Sequence, residues 1–517
     1  MIRSTTEYRD SLRSFHPVVY VDGRRIDSVA DEPALQPGIN AIGVTYDLAA
    51  DPKLAQLMTA VEQETGKRVN RMTHIDRSPE DLLAKLEAVR LMCREAGCAL
   101  RYLVHDAFNG LYQATRRIDA EHGSDYFARF VAFMDEVQQR DLTYAVAMTD
   151  AKGDRSLRPH LQADGDAYLH VVEQRPDGIV ISGVKSIVTG APYVHGLLVM
   201  PCRSMTPQDG PFAVACAVPI DAPGITIIAR PAGRPGEAAA LFSRRYGQTT
   251  GVVAFDRVFV PHERVFLNGE TAHAGYLTQT YATHHRHSCI GARAGFGDLL
   301  IGAGAVMIEA NGLDPDRHVH LRDNMVELIK IVEGFYATGV AASTYGLRDD
   351  AGNIMPDPVF SNIGKLLLAT QIYDMHRLAH TVSGGLVVAL PGPDEDHNPV
   401  TQGTLETVWQ ANPGVPADHR RQVSRLVEDL TASHQGGWYS VISLHGGGSP
   451  EAMKREIWRH YPVGEKKEIV ERLIERDLVE RTDGKQPDRQ PGRCCPIGCR
   501  LPEFLRHAPR DDDNAAA

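Results

Sequence analysis

Met148-Thr149-Asp150-Ala151-Lys152-Gly153-Asp154-Arg155 decides the fold, because it lies just inside a change of sequence character near Leu142. Thr149 through Gly153 read as a turn-like stretch leaving a strand, with Lys152 and Arg155 available to a negative charge. By its residues alone the stretch reads equally well as a β-turn with solvated charges. From it to about Leu267 come short β-rich runs separated by turn signals: 167–174, 178–188, 196–201, 212–218, 225–229 and 251–260. Asp177-Gly178 is a hairpin signal between two of these runs. The spacing suits a compact β-barrel or sandwich rather than a parallel α/β sheet.

On both sides the pattern is helical. Upstream, 52–66 and 78–97 carry apolar residues at helical spacing, and Ser78-Pro79-Glu80-Asp81 reads as a helix start with cap, proline and early acids. A third helix is expected over 124–140. Downstream, helices are expected around 289–311, 317–347, 360–382, 417–432 and 449–477, and few turns interrupt them, as in an antiparallel bundle. The expected organisation is a helical segment over 1–142, a β-domain over 143–272, a helical bundle over 273–480 and a disordered tail over 481–517.

Composition narrows the function classes. The 517 residues, 43% hydrophobic, can fill a large core, and 66 acidic against 55 basic residues argue against a nucleic-acid binder. The N-terminal ten residues are polar, and the apolar runs 252–255 and 386–390 are too short to span a bilayer, so a cytoplasmic protein without membrane contact is expected. Of eight cysteines, three cluster as Cys494-Cys495-Pro496-Ile497-Gly498-Cys499. With no second Cys/His pair at zinc-ligand spacing, they read as exposed thiols of a tail rather than a metal site. No G-x-G-x-x-G follows a strand, and Walker A, H-E-x-x-H and G-x-S-x-G are all absent.

Several collinear blocks together carry a resemblance. They are 148–155, then 177–185 (DGIVISGVK), Thr189-Gly190, 253–261 (VAFDRVFVP) and His445-Gly446-Gly447-Gly448-Ser449-Pro450. The chain resembles the family of 4-hydroxyphenylacetate 3-hydroxylase and 4-hydroxybutyryl-CoA dehydratase over about residues 5–475. The resemblance implies an α+β multidomain, acyl-CoA-dehydrogenase-like fold with an N-terminal helical domain, a central β-barrel and a C-terminal four-helix bundle. It also implies a homotetramer that binds FAD. The flavin contacts it implies fall on Met148, Thr149, Lys152, Gly153 and Arg155, on Thr189, and on Ser433 and Gly436 of the turn Ser433-His434-Gln435-Gly436. An isoalloxazine edge wants N–H donors and hydroxyls, which these residue types supply.

The family holds two chemistries. Its dehydratase branch carries a 4Fe–4S cluster on three cysteines and one histidine. Cys98 and His285 match two of those ligands, whereas Tyr102 and Ala292 occupy the other two. Cys93 lies about 140° from Cys98 around a helix, and Cys289 is one turn from His285 without completing a set. An iron–sulfur cluster is therefore not expected, and no metal site is assigned. The positions of that branch's active tyrosine and two glutamates hold Cys289, Thr250 and Ile442. The hydroxylase branch takes FADH2 from a separate flavin reductase to activate O2 against a phenol. Its arginine, tyrosine and histidine fall on Leu103, Ala107 and Ala145, so the phenol grip is altered as well. The expectation is an FADH2-dependent, two-component monooxygenase hydroxylating an aromatic or related small molecule, with His285, Tyr102 and Tyr144 as catalytic residues and His105 and His287 as further pocket candidates. The alternatives are a lyase or isomerase acting on an acyl-CoA, and a non-catalytic flavoprotein.

Overall fold

The computed structural model describes residues 2–63 and 65–483. Six helices open the chain: α1 (Thr5–Leu12), α2 (Gln36–Ala50), α3 (Ala55–Met58), α4 (Pro79–Ala96), α5 (Arg101–His122) and α6 (Tyr126–Arg140). α4 starts as its sequence dictates. The Ser78 hydroxyl accepts from the Asp81 N–H, Pro79 takes the first turn, and Glu80 and Asp81 face the positive helix end. It stops at Gly97, whose φ of +69° and nearness to the Tyr439 ring leave no room for a β-carbon. Cys98 therefore lies beyond α4 and does not share a helix with Cys93. The buried Arg101 anchors the start of α5 by pairing with Asp141 at 2.6 Å and stacking over Tyr46.

The expected helix over 52–66 is confined to α3. Thr59 and Val61, β-branched, form β3 (Thr59–Val61), which pairs antiparallel with β4 (Arg68–Asn70). Further upstream, β1 (Val18–Val21) and β2 (Arg24–Arg25) leave the helical segment to join the main sheet, β1 running parallel to β10 (Ile225–Ala229).

The β-region forms two sheets. The larger has the order β2-β1-β10-β11-β7-β6, with β6 (His170–Arg175), β7 (Gly178–Thr189) and β11 (Thr250–Pro261). The Asp-Gly signal is realised as a β6–β7 hairpin over Pro176-Asp177. The smaller sheet runs β12-β9-β8-β5, with β5 (Tyr144–Ala147), β8 (Gly196–Val199), β9 (Val214–Pro219) and β12 (Val265–Asn268). Among the described residues a single bridge, Asp150 to Lys185, joins the edge of the smaller sheet to β7. The expected barrel is thus not closed. β5 and β12 are four residues long and run out before a second ladder can form, so the sheets pack as a sandwich over a shared core including Ile181, Val253, Leu197 and Phe266.

The helical region is built on α7 (Thr271–Ala310), 40 residues long. It packs against α8 (Val319–Thr344), α9 (Pro358–Ser383) and α4, and α8 and α9 pack on each other. After the short α10 (Gln402–Trp409), α11 (Ala417–Thr431) lies on α7 and α9. The bundle is therefore not a set of four long C-terminal helices. It borrows α4, and one apolar core runs through Met92, Ile290, Phe296, Val332 and Leu368. Although α7 is long and apolar enough to cross a membrane by composition, most of its apolar stretch is buried within this core. α12 (His434–His445) follows, and the expected helix over 449–477 is broken at Tyr461-Pro462 into α13 (Pro450–His460) and α14 (Val463–Asp483). Beyond Asp483 the expected tail, with Cys494, Cys495 and Cys499, lies outside the described residues.

Candidate active site

α5 and α7 approach closely where Gly110 has no side chain; a β-carbon there would sit 3.2 Å from the Tyr281 backbone nitrogen. The contact turns Tyr102, His105 and Asp106 of α5 toward Tyr281, His285, Ser288 and Cys289 of α7, residues that share a helical face. His285 Nδ1 lies 3.1 Å from Asp106 Oδ2, and Ser288 donates to Asp106 Oδ1 at 2.6 Å. Lys85 Nζ stands 3.6 Å from Asp106 and 3.9 Å from Asp76, which in turn pairs with His105 at 3.1 Å. The other ring nitrogen of His285, Nε2, is 3.6 Å from Cys289 Sγ. The rings of Tyr281 and Tyr102 each stack on His285, at 5.4 and 6.0 Å.

Cysteine, imidazole and carboxylate therefore stand in one line, the order that activates a thiol. Burial by itself raises the Cys289 pKa, but His285, Lys365 and Arg293 outweigh it and bring the thiol below its ordinary value. Burial likewise opposes charge on His285, yet the facing sulfur and Asp106 lift its pKa to about 10. The facing imidazole thus favours ionisation of the thiol, and both groups are almost fully withdrawn from water. Lys365, pushed down to about 8 by burial, donates to the Ser443 carbonyl at 2.6 Å, and Arg293 donates to the Ser443 hydroxyl at 2.5 Å. A glycine turn covers the pair. Gly447, φ +76°, places its α-carbon where a side chain would meet His285 Cδ2 at 3.3 Å, and its carbonyl accepts from Arg286. This gives His445-Gly446-Gly447-Gly448 a physical reason.

The stretch 148–155 lies at the seam between the sheets. The Met148 carbonyl accepts from Lys185 Nζ at 2.9 Å, the Thr149 carbonyl from Ser186 N–H at 2.8 Å, and Asp150 pairs with Lys185 at 2.7 Å. Lys152 and Gly153 are both left-handed, φ +74° and +50°. The Lys152 N–H donates to the Ala167 carbonyl at 2.9 Å and the Asp154 N–H to Gln162 at 2.9 Å, so the turn is tied internally, with Arg155 exposed beside it. Thr189 pairs with Thr250 at the strand ends, and the Thr250 hydroxyl is buried without a hydrogen-bond partner. An orphan hydroxyl opposite Thr189 suits a ligand that accepts or donates there, so these residues fit a flavin. Ser433 caps α12, accepting from the Gln435 and Gly436 N–H groups. It opens onto a cleft of about 890 Å³ lined also by Arg234, Glu237, Glu428 and His434, to which none of 148–155 contributes.

The structure brings Tyr102 and His285 together and leaves Tyr144 out. Tyr144 packs edge-on against Phe133 at 5.2 Å in the β-domain core, with Arg264 and Glu136 as its charged neighbours. β5 packs on α5, but among the described residues no hydrogen bond or ring contact joins Tyr144 to Tyr102 or His285. His287 is also structural, held by Ser343 at 2.8 Å and the Gly339 carbonyl at 3.2 Å. Ala107 and Ala145 are buried in the core and offer no polar group. Asp106, Arg293, Lys365 and Ser443 went unread. The signal for Lys365 and Arg293 was a lone cation in an apolar helical run, and for Asp106 an acid one helical turn past Tyr102. The four cluster positions do not fit an iron–sulfur group. Cys98 Sγ lies 3.2 Å from the Tyr102 hydroxyl that replaces a thiolate, Ala292 has no donor atom, and His285 is committed to Asp106 and Cys289.

Two family models match: 4-hydroxyphenylacetate 3-hydroxylase N terminal over residues 4–267, and 4-hydroxyphenylacetate 3-hydroxylase C terminal over residues 274–475. The chain is 34% identical over 491 residues to the 4-hydroxybutyryl-CoA dehydratase/vinylacetyl-CoA-Delta-isomerase of Clostridium aminobutyricum, covering 92% of this chain and 99% of that one. It is 25% identical to the 4-hydroxyphenylacetate 3-monooxygenase oxygenase component of Geobacillus sp. (strain PA-9), covering 90% and 95%. Among solved structures it superposes on an oxygen-tolerant 4-hydroxybutyryl-CoA dehydratase from N. maritimus with a TM-score of 0.88 and 33% identity, covering 95% and 97%. The chain belongs to the 4-hydroxyphenylacetate 3-hydroxylase family.

Proposed function

We propose that this chain is an FAD-binding enzyme that moves protons on the acyl chain of a CoA thioester, as a double-bond isomerase or lyase. The observation that carries the reading is the Asp106–His285–Cys289 line. A thiol whose ionisation is favoured by the facing imidazole, in a buried site, is suited to act as base toward a carbon acid and to return the same proton. In a double-bond shift, Cys289 Sγ takes the proton from the carbon between the thioester carbonyl and the alkene. The electron pair delocalises onto the carbonyl, and the thiol protonates the far carbon of the former alkene. No oxidant is consumed, and the thiolate is regenerated. Lys365 and Arg293 help His285 to lower the thiol's pKa, Asp106 fixes the ring, and the Gly447 turn lies against it.

FAD would be held by Met148, Thr149, Lys152, Gly153, Arg155 and Thr189, with Ser433 and Gly436 contributing from the start of α12. When bound it supplies one- or two-electron chemistry at its isoalloxazine. The CoA-dependent relatives support the thioester substrate.

A second reading is the FADH2-dependent, two-component monooxygenase acting with a separate reductase on a small aromatic molecule. It is favoured by the oxygenase relative and by the misfit of the cluster positions. Against it stand the absence of a phenol grip at Leu103, Ala107 and Ala145 and the presence of a thiol whose pKa its neighbours lower, the kind that O2-derived oxidants convert to sulfenic acid. Under either reading the enzyme is proposed as a cytoplasmic homotetramer without nucleic-acid partners. Aerobic turnover with reduced FAD and a panel of phenols, followed by product analysis, tests this second reading directly. Hydroxylated product in the absence of thioester turnover overturns the first.

A further inference from the structure

α5, which carries Asp106, and α7, which carries His285 and Cys289, meet a second time away from that line. α5 closes on Glu121 and His122, ahead of Gly123 with φ +67°, and His273 lies in the first turn of α7. His273 Nε2 is 3.1 Å from His122 Nε2 and 3.3 Å from Glu121 Oε2, and all three ligand atoms lie within 4.8 Å of one another. The two imidazole rings stand at 79°. His273 is buried while Glu121 and His122 are exposed, so the group opens to solvent on one side.

Atoms bound to Zn²⁺ at about 2.0–2.1 Å sit roughly 3.3–3.4 Å apart around a tetrahedron. The two short separations here are close to such edges. Without a cation the geometry is unsatisfied, because one proton on His273 Nε2 cannot make straight hydrogen bonds to His122 and Glu121 together. Arg117 holds the other Glu121 oxygen at 3.0 Å, the outer support a ligating carboxylate receives.

We propose that Glu121, His122 and His273 bind one Zn²⁺ or similar divalent transition ion, with water as the remaining ligand. Two imidazoles and a carboxylate select such an ion over Mg²⁺ or Ca²⁺, which prefer all-oxygen sets. The ion ties the C-terminal end of α5 to the N-terminal end of α7, the helices whose opposed faces bring Asp106 to His285. Its role is a clamp, independent of which substrate the enzyme takes.

The test uses the full chain, stripped with chelator and titrated with Zn²⁺, read by metal analysis after gel filtration and by thermal unfolding. The native chain should retain one equivalent more than His122→Ala and melt higher when loaded, and H122A should bind at least about tenfold more weakly. Because His122 is exposed, that variant should fold even if His273→Ala does not. Co²⁺ loading should give a visible d–d band typical of tetrahedral nitrogen–oxygen ligation that H122A lacks. Equal retention by the native chain and H122A overturns the proposal. So does loss of the ion on replacing His318 and His320, the histidine pair beside the opposite end of α7, instead.

Discussion

Replacing Asp106 with asparagine probes the line of groups that ionises Cys289. The carboxylate is fully buried, 3.1 Å from His285 Nδ1, 2.6 Å from the Ser288 hydroxyl and 3.6 Å from Lys85. Asparagine keeps an acceptor for one of the two neighbours, turns an NH2 donor toward the other, and removes the charge that favours the imidazolium. A hydrogen bond to a charged group contributes about 1.5–3 kcal/mol, and one pH unit corresponds to about 1.4 kcal/mol. The His285 midpoint should therefore fall from about 10 by roughly 1–2 units in D106N, and the Cys289 thiol should move up. The assay is nitrogen-15 NMR of histidine-labelled protein across pH, with the His285 signal assigned by its loss in His285→Asn. Circular dichroism establishes that D106N is folded. A His285 midpoint still near 10 in folded D106N would refute the claim that Asp106 sets this pair.

Three further outcomes follow from the geometry. His74, between Glu62 at 3.3 Å and Asp81 at 3.5 Å, is raised to about 9, its neighbours' hydrogen bonds and charges outweighing the opposing effect of burial. Its stabilisation, ~3 kcal/mol, is fully present below about pH 6.5 and lost as pH rises through 9. Denaturant midpoints should fall across that window in the native chain and stay flatter in His74→Gln. The double variant Tyr102→Cys/Ala292→Cys restores a full cluster ligand set beside Cys98 and His285. Anaerobic reconstitution should then load about four irons per chain, against none for the native protein, as iron and sulfide analysis would report. Gly153→Ala forces a side chain at φ +50° against Gln162 and should cost about 1 kcal/mol of stability. It should also weaken FAD retention, measured by equilibrium dialysis.

Much of the fold was legible because its signals are local. The Ser78 cap, the Asp177-Gly178 turn and strands such as β10 are set by neighbours in sequence, and they appear where their residues place them. What depends on distant partners was not legible. β1 joins the sheet only by pairing with β10, over 200 residues away, and α4 belongs to the bundle because its apolar face meets α7. The barrel failed for a similar reason, since closure depends on whether edge strands are long enough to meet. Within the site, His285 and Tyr102 were visible from their place in the pattern. Asp106 and Lys365 were not, because a buried charge looks like any surface charge until its counter-groups are brought alongside. The neighbours of Tyr144, namely Phe133, Arg264 and Glu136, were not legible either, because they come from other elements.

The most direct test of proton transfer at Cys289 is solvent exchange into a thioester. FAD-loaded protein is incubated without oxygen in deuterium oxide with a β,γ-unsaturated acyl-CoA, and the recovered thioester is weighed by mass spectrometry. The account predicts deuterium gain with migration of the double bond toward the carbonyl, lost in Cys289→Ala and weakened in D106N. A thioester recovered unlabelled and unmoved from flavin-loaded native protein, over a time in which the dehydratase relatives exchange it fully, would contradict it.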